Sequence, residues 1–112
     1  MTNHKLIRDL AEAREGSLQL DCKIWTVLGN DPALGRVMWG PDGQYIATEH
    51  DEFVPEYTTS LDAKLPWENI KDVRHNGWGW VAAHYGANGK RYEGEAHTEP
   101  LARRLAALKA KL

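Results

Sequence analysis

Apolar side chains in the first part of the chain recur at helical intervals. Leu6, Ile7, Leu10 and Ala11 form one stripe, which predicts a helix from roughly 3 to 14. Glu15-Gly16-Ser17 interrupts the pattern. Ser17 is a suitable N-cap for a second helix, with a stripe of Leu18, Cys22, Trp25 and Leu28 and a stop at Gly29. Two short helices joined by a tight turn make an αα-hairpin.

The periodicity then becomes extended. Arg36-Val37-Met38-Trp39 and Gln44-Tyr45-Ile46-Ala47-Thr48 flank Gly40-Pro41-Asp42-Gly43, which has strong turn chemistry and predicts a hairpin. An acidic loop runs from Glu49 to Glu56. Thr58, Thr59 and Ser60 offer caps for a short helix at Leu61 to Leu65, which Pro66 would end. Trp67 to Arg74 reads either as a turn or as a turn leading into an extra strand near Ile70 to Arg74. Trp78 to Tyr85 and Lys90 to His97 flank Gly86-Ala87-Asn88-Gly89, a second hairpin. Thr98 caps a last helix with Pro100 in its first turn and Leu101, Leu105, Leu108 and Leu112 on one face. The resulting order is ααββαββα, an α+β fold in which an antiparallel sheet of four to five strands is covered by helices on at least one face. No repeat or long linker divides it, so residues 1–112 are expected to form a single domain.

Composition agrees with this reading. At 112 residues, 42% hydrophobic and 27% charged, the chain can bury one modest core. No apolar run approaches the ~18 residues needed to span a bilayer, and the N-terminus lacks a signal-peptide pattern. The expectation is a cytoplasmic protein that does not engage membranes. The net charge of −2 selects no partner class, but the acids cluster between Pro41 and Asp72 while Arg103, Arg104, Lys109 and Lys111 make the last helix basic. Cys22 excludes an internal disulfide, and its apolar neighbours suggest a buried structural thiol.

Several stretches together resemble the phage ABA-sandwich family of small phage and prophage proteins. They are Leu6 to Ala13, Leu20-Asp21-Cys22-Lys23-Ile24, Tyr57-Thr58-Thr59-Ser60-Leu61-Asp62-Ala63, Gly77-Trp78-Gly79-Trp80, Gly94-Glu95-Ala96, and Leu101 with Ala106 to Ala110. The Tyr57 to Ala63 box is the most specific of these. The resemblance implies an α/β/α sandwich and a phage context without an established enzymatic role. The chain departs from the pattern after Ala63, where Lys64-Leu65-Pro66-Trp67 cuts short the apolar helix that the family continues.

Candidate chemistry is sparse. The histidines His4, His50, His75, His84 and His97 show no metal-ligand spacing, and no P-loop or dinucleotide fingerprint occurs, so neither cofactor nor metal is expected. His84 and His97 would meet across the last hairpin in one register only. Five tryptophans stand beside a single phenylalanine. Trp78 and Trp80 share a strand face with Ala82 and His84, a face that is core if a helix covers it and an aromatic platform if not. Trp67 is expected to be exposed. The leading expectation is a non-enzymatic phage accessory protein that binds a host protein and blunts an antiviral defence (an anti-defence protein). Its contact residues would come from Tyr57, Trp67, Trp78, Trp80 and the acidic loop. A second expectation is nucleotide binding, with Tyr92 at the platform's edge and Arg74, Lys90 and Arg91 on the phosphates. His84 completes the candidate surface. Nucleic-acid binding through the basic last helix, and homodimer formation through an open strand edge, are further alternatives.

Overall fold

The computed structural model describes residues 2–27, 36–40, 43–47 and 55–111. The expected helix stop at Gly29 and most of the acidic loop lie outside the described residues. Helix α1 spans Thr2–Glu12 and α2 spans Leu18–Val27, and Ser17 Oγ caps α2 by accepting the Leu20 N–H at 3.1 Å. Strands β1 (Arg36–Gly40) and β2 (Gly43–Ala47) pair antiparallel, with Val37 opposite Ile46 and Met38 opposite Tyr45. Strands β3 (Ile70–His75), β4 (Trp80–Tyr85) and β5 (Arg91–Ala96) form a separate antiparallel sheet in that order, and α3 (Glu99–Lys109) follows.

The turns obey their local chemistry. In the β3–β4 connection, Asn76 Oδ1 accepts the N–H groups of Trp78 and Gly79. In the β4–β5 connection, Asn88 Oδ1 accepts the Lys90 N–H and Gly86 bonds with both Gly89 and Lys90. Thr98 Oγ1 caps α3 at the Leu101 N–H, and Glu99 pairs with Arg103 one turn later.

Register then sorts the side chains into two faces. Trp80, Ala82 and His84 on β4 stand opposite Ala96, Gly94 and Tyr92 on β5, with Val73 and Ile70 on the β3 side. This face meets the helices: Ala82 and Ala96 join Leu6, Leu10, Leu20, Ile24, Leu101, Leu105 and Leu108 in one buried cluster. Gly94 is what lets α3 come so close. A Cβ there would collide with the backbone of Ala102 and Ala106. Because α3 is pressed between the sheet, α1 and the 55–69 segment, Ala102, Arg104, Ala106 and Ala107 are buried as well as its leucines. Among the described residues, no helix is long and apolar enough to cross a membrane.

Several expectations require correction. The α+β class holds, but the helix expected at Leu61 to Leu65 is bends and irregular backbone, while Ile70–His75 takes the strand alternative as β3, with a register shift against β4 between Ile70 and Asp72. The segment is held by side-chain bonds described below, which satisfy its backbone without a helix. The α/β/α layering is not seen among the described residues. The sheet residues of the main core all come from one face, and Val81 and Ala83 on the other face do not join it. The stripe of α2 is also rotated from Leu18 and Cys22 to Leu20, Asp21 and Ile24. Asp21 has a buried partner to reach, and the rotation follows from that bond. Cys22 is only half-buried, and burial raises its thiol pKa, which suppresses the thiolate.

Candidate functional site

The start of the Tyr57 to Ala63 box turns inward, with Tyr57 and Thr58 buried. Tyr57, proposed as a contact residue, is buried in the core, with its phenol pKa raised by that burial. Thr58 is the centre of a lock onto α2. Its N–H and Oγ1 donate to Asp21 Oδ1 at 2.8 and 2.6 Å, while Ser17 N–H donates to Thr58 Oγ1 at 2.9 Å. Gly16 belongs to the same lock, since a Cβ there would strike the Thr58 carbonyl. Asp21 is buried and its Oδ2 has no partner among the described residues, and burial pushes its carboxyl above the usual range despite the Thr58 bonds.

A second lock ties the same segment to α3. Arg104, read from sequence as part of a basic surface, is fully buried. Its Nη1 pairs with Glu68 Oε2 at 2.6 Å, Nε donates to the Tyr57 carbonyl at 3.0 Å, and Nη2 donates to the carbonyls of Ser60 and Leu61 at 2.7 and 2.9 Å. Glu68 Oε1 accepts the Leu65 N–H. Burial raises the Glu68 carboxyl pKa, with the guanidinium pulling it back. In the box most characteristic of the resemblance, Thr58 and the carbonyls of Tyr57, Ser60 and Leu61 therefore serve as scaffold, holding the segment against two helices, while the side chains of Thr59, Leu61 and Asp62 are exposed. With Arg103 engaged by Glu99 as well, the basic face expected for nucleic acid is much reduced.

The tryptophans divide between core and surface. Trp80 is half-buried against the core, edge-on to His75 with ring centroids 5.1 Å apart. Trp78 does not share that face, because β4 begins only at Trp80. It stands in the preceding turn, 49% exposed, edge-on to His97 at 4.9 Å. His97 follows the residue opposite Trp80, whereas His84 pairs with Tyr92 at the other end of the strands, so these histidines do not meet. No cluster of metal-ligating side chains occurs among the described residues.

Trp67, expected to be exposed, is half-buried: its indole N–H donates to the Ala107 carbonyl at 2.8 Å and Lys111 Nζ lies 5.4 Å over its ring. It forms one wall of a groove of about 560 Å³ whose floor includes His84 and Tyr92, with Asn88 and Lys111 also lining it. His84 is buried, and Nδ1 accepts the Asn69 N–H at 3.0 Å, which leaves the imidazole proton on Nε2. Burial lowers its pKa and keeps the ring neutral. Arg74 and Arg91, expected to hold phosphates beside the aromatic residues, instead line the opposite face of the sheet with Lys71 and Asp72, around Val81 and Ala83. There Arg91 is engaged by Glu93. Lys90 is exposed in the β4–β5 turn. The structure thus brings together Trp67, His84 and Tyr92, and keeps Trp78, Arg74 and Arg91 apart from them. Sequence reasoning missed Lys111, Asn88 and the Arg104–Glu68 pair, and none of these carries a motif. No family model, curated protein or solved structure matches the chain.

Proposed function

We propose that the chain is a non-enzymatic phage accessory protein that binds a host protein, and that the partner belongs to an antiviral defence. The phage context comes from the resemblance. The reading is carried by Trp78, which offers a large, half-exposed aromatic surface from a turn fixed by Asn76 and buttressed by His97. A rigid aromatic anchor of this kind loses little conformational entropy on docking and dominates many protein interfaces. The buried ionisable groups support the same reading, since Arg104, Glu68 and Asp21 are engaged in holding the scaffold together.

The test is affinity capture from host lysate with the wild-type chain and with Trp78→Ala side by side, followed by reconstitution with the purified candidate. One host protein should be retained by the wild type and lost, by tenfold or more in affinity, with Trp78→Ala. Equal retention by both would remove Trp78 from the interface. Absence of any partner at low and moderate salt would remove the reading itself.

A further inference from the structure

We propose that the groove between Trp67, Tyr92 and the β4–β5 turn is a binding site for a planar ring carrying a carboxylate or a phosphate. The inference rests on which hydrogen-bonding capacity is left after the fold has satisfied itself. His84 Nδ1 is occupied by the Asn69 N–H, so the ring can offer only the Nε2 proton. Asn88 Oδ1 is occupied by the Lys90 N–H, so its amide NH₂ remains. Lys111 Nζ, held over the Trp67 ring, adds a charged donor, and among the described residues no Asp or Glu side chain lines the groove. These side chains therefore present donors whose own acceptors are spent, and the complementary ligand is acceptor-rich and anionic. The walls specify the remainder of the ligand. Trp67 is fixed by its bond to the Ala107 carbonyl, and Tyr92 packs at 6.2 Å from His84 with its ring tilted by 45°. Two preset aromatic side chains favour a flat, apolar body over a flexible one. A volume of about 560 Å³ exceeds that of a single ring with its acid group, which leaves room for a substituent such as a sugar.

This site is independent of the Trp78 corner, because it lies at the Tyr85 end of β4 while Trp78 precedes the Trp80 end. The test is a ¹H–¹⁵N NMR titration of the whole chain with phenyl phosphate, benzoate, phenol and inorganic phosphate, followed at the Trp67 indole N–H and the Asn88 side-chain amide. Phenyl phosphate or benzoate should shift both signals at about 1 mM. Phenol and inorganic phosphate should bind at least about tenfold more weakly, since each satisfies only half of the site. The stronger of the two ring acids identifies which anionic group the site takes. Lys111→Gln should weaken that ligand about tenfold, whereas Lys109→Gln, which removes the same charge from an exposed position on α3, should not. Trp78→Ala should leave the titration unchanged even if it abolishes host-protein capture. Failure of both ring acids to shift these signals would overturn the proposal. Phenol binding as tightly as the stronger ring acid, or an unchanged affinity in Lys111→Gln, would overturn it as well.

Discussion

Replacing Arg104 by alanine should nearly unfold this protein, although Arg104 belongs to what reads from sequence as a solvated basic helix. Its side chain is 0% exposed and that of its partner Glu68 is 2% exposed. The truncation would leave one buried carboxylate without a counter-ion and three carbonyls, of Tyr57, Ser60 and Leu61, without their donors. Breaking a buried pair from one side costs about 3–5 kcal/mol. Each carbonyl that stays dry adds about 1 kcal/mol or more, reduced where water enters the vacated space. A total of about 5 kcal/mol is a large part of the 5–15 kcal/mol that stabilises a domain of this size. Urea unfolding followed by circular dichroism measures the loss directly, and the melting temperature should fall by roughly 15–25 °C. Arg104→Lys keeps the charge but not the planar fork, and should lose about half as much. Combining Arg104→Met with Glu68→Met removes the stranded carboxylate, so the double variant should recover part of the stability while the three carbonyls and the Leu65 N–H stay unmet. A cost below about 1 kcal/mol for Arg104→Ala, the range of an exposed ion pair, would refute the claim that this side chain organises residues 57–68.

Asp21 gives a pH-dependent prediction. Burial raises its pKa in the folded state, so the folded chain holds that proton more tightly than the unfolded chain. Its contribution is therefore greatest at low pH and is lost as pH climbs from the ordinary aspartate range through the raised value. Asp21→Asn, which still accepts both Thr58 bonds, should match the wild type in acid and exceed it at neutral pH, so a wild type more stable at neutral pH would contradict this. Gly94→Ala should destabilise by about 3 kcal/mol or more in the same urea assay, because the added methyl meets the Ala102 and Ala106 backbone and α3 must lift from the sheet. Trp78→Ala should change stability by no more than about 0.5 kcal/mol, since the side chain is half exposed, and a larger loss in thermal unfolding would mark it as structural.

Elements that follow from local rules were legible in the chain itself. The helix starts at Ser17 and Thr98 were readable because a hydroxyl that satisfies a free N–H acts within a few residues. The hairpins at Gly40 to Gly43 and Asn88-Gly89 were readable for the same reason, since turn chemistry needs no distant partner. Strand β3 was ambiguous because its apolar alternation is weak, with Lys71, Asp72, Arg74 and His75 exposed on an edge strand.

Other features needed the assembled fold, because they depend on contacts between residues some 36 to 47 positions apart. A Leu61 to Leu65 stretch with good caps became bends and irregular backbone once Arg104 and Glu68 met its backbone groups. Asp21 rotated α2 away from the stripe that its apolar residues alone suggest. The candidate site divides in the same way: which residue types could bind was visible, but the register of β4 and β5 decided which of them share a place. It put His84 beside Tyr92, sent Arg74 and Arg91 to the far face, and left Trp78 at the opposite end. Composition and periodicity determine which elements form and which side of each is apolar. Only tertiary structure decides which polar side chains are consumed in holding the chain together and which remain to meet a ligand, because hydrogen bonds and charges are satisfied across space rather than along the sequence.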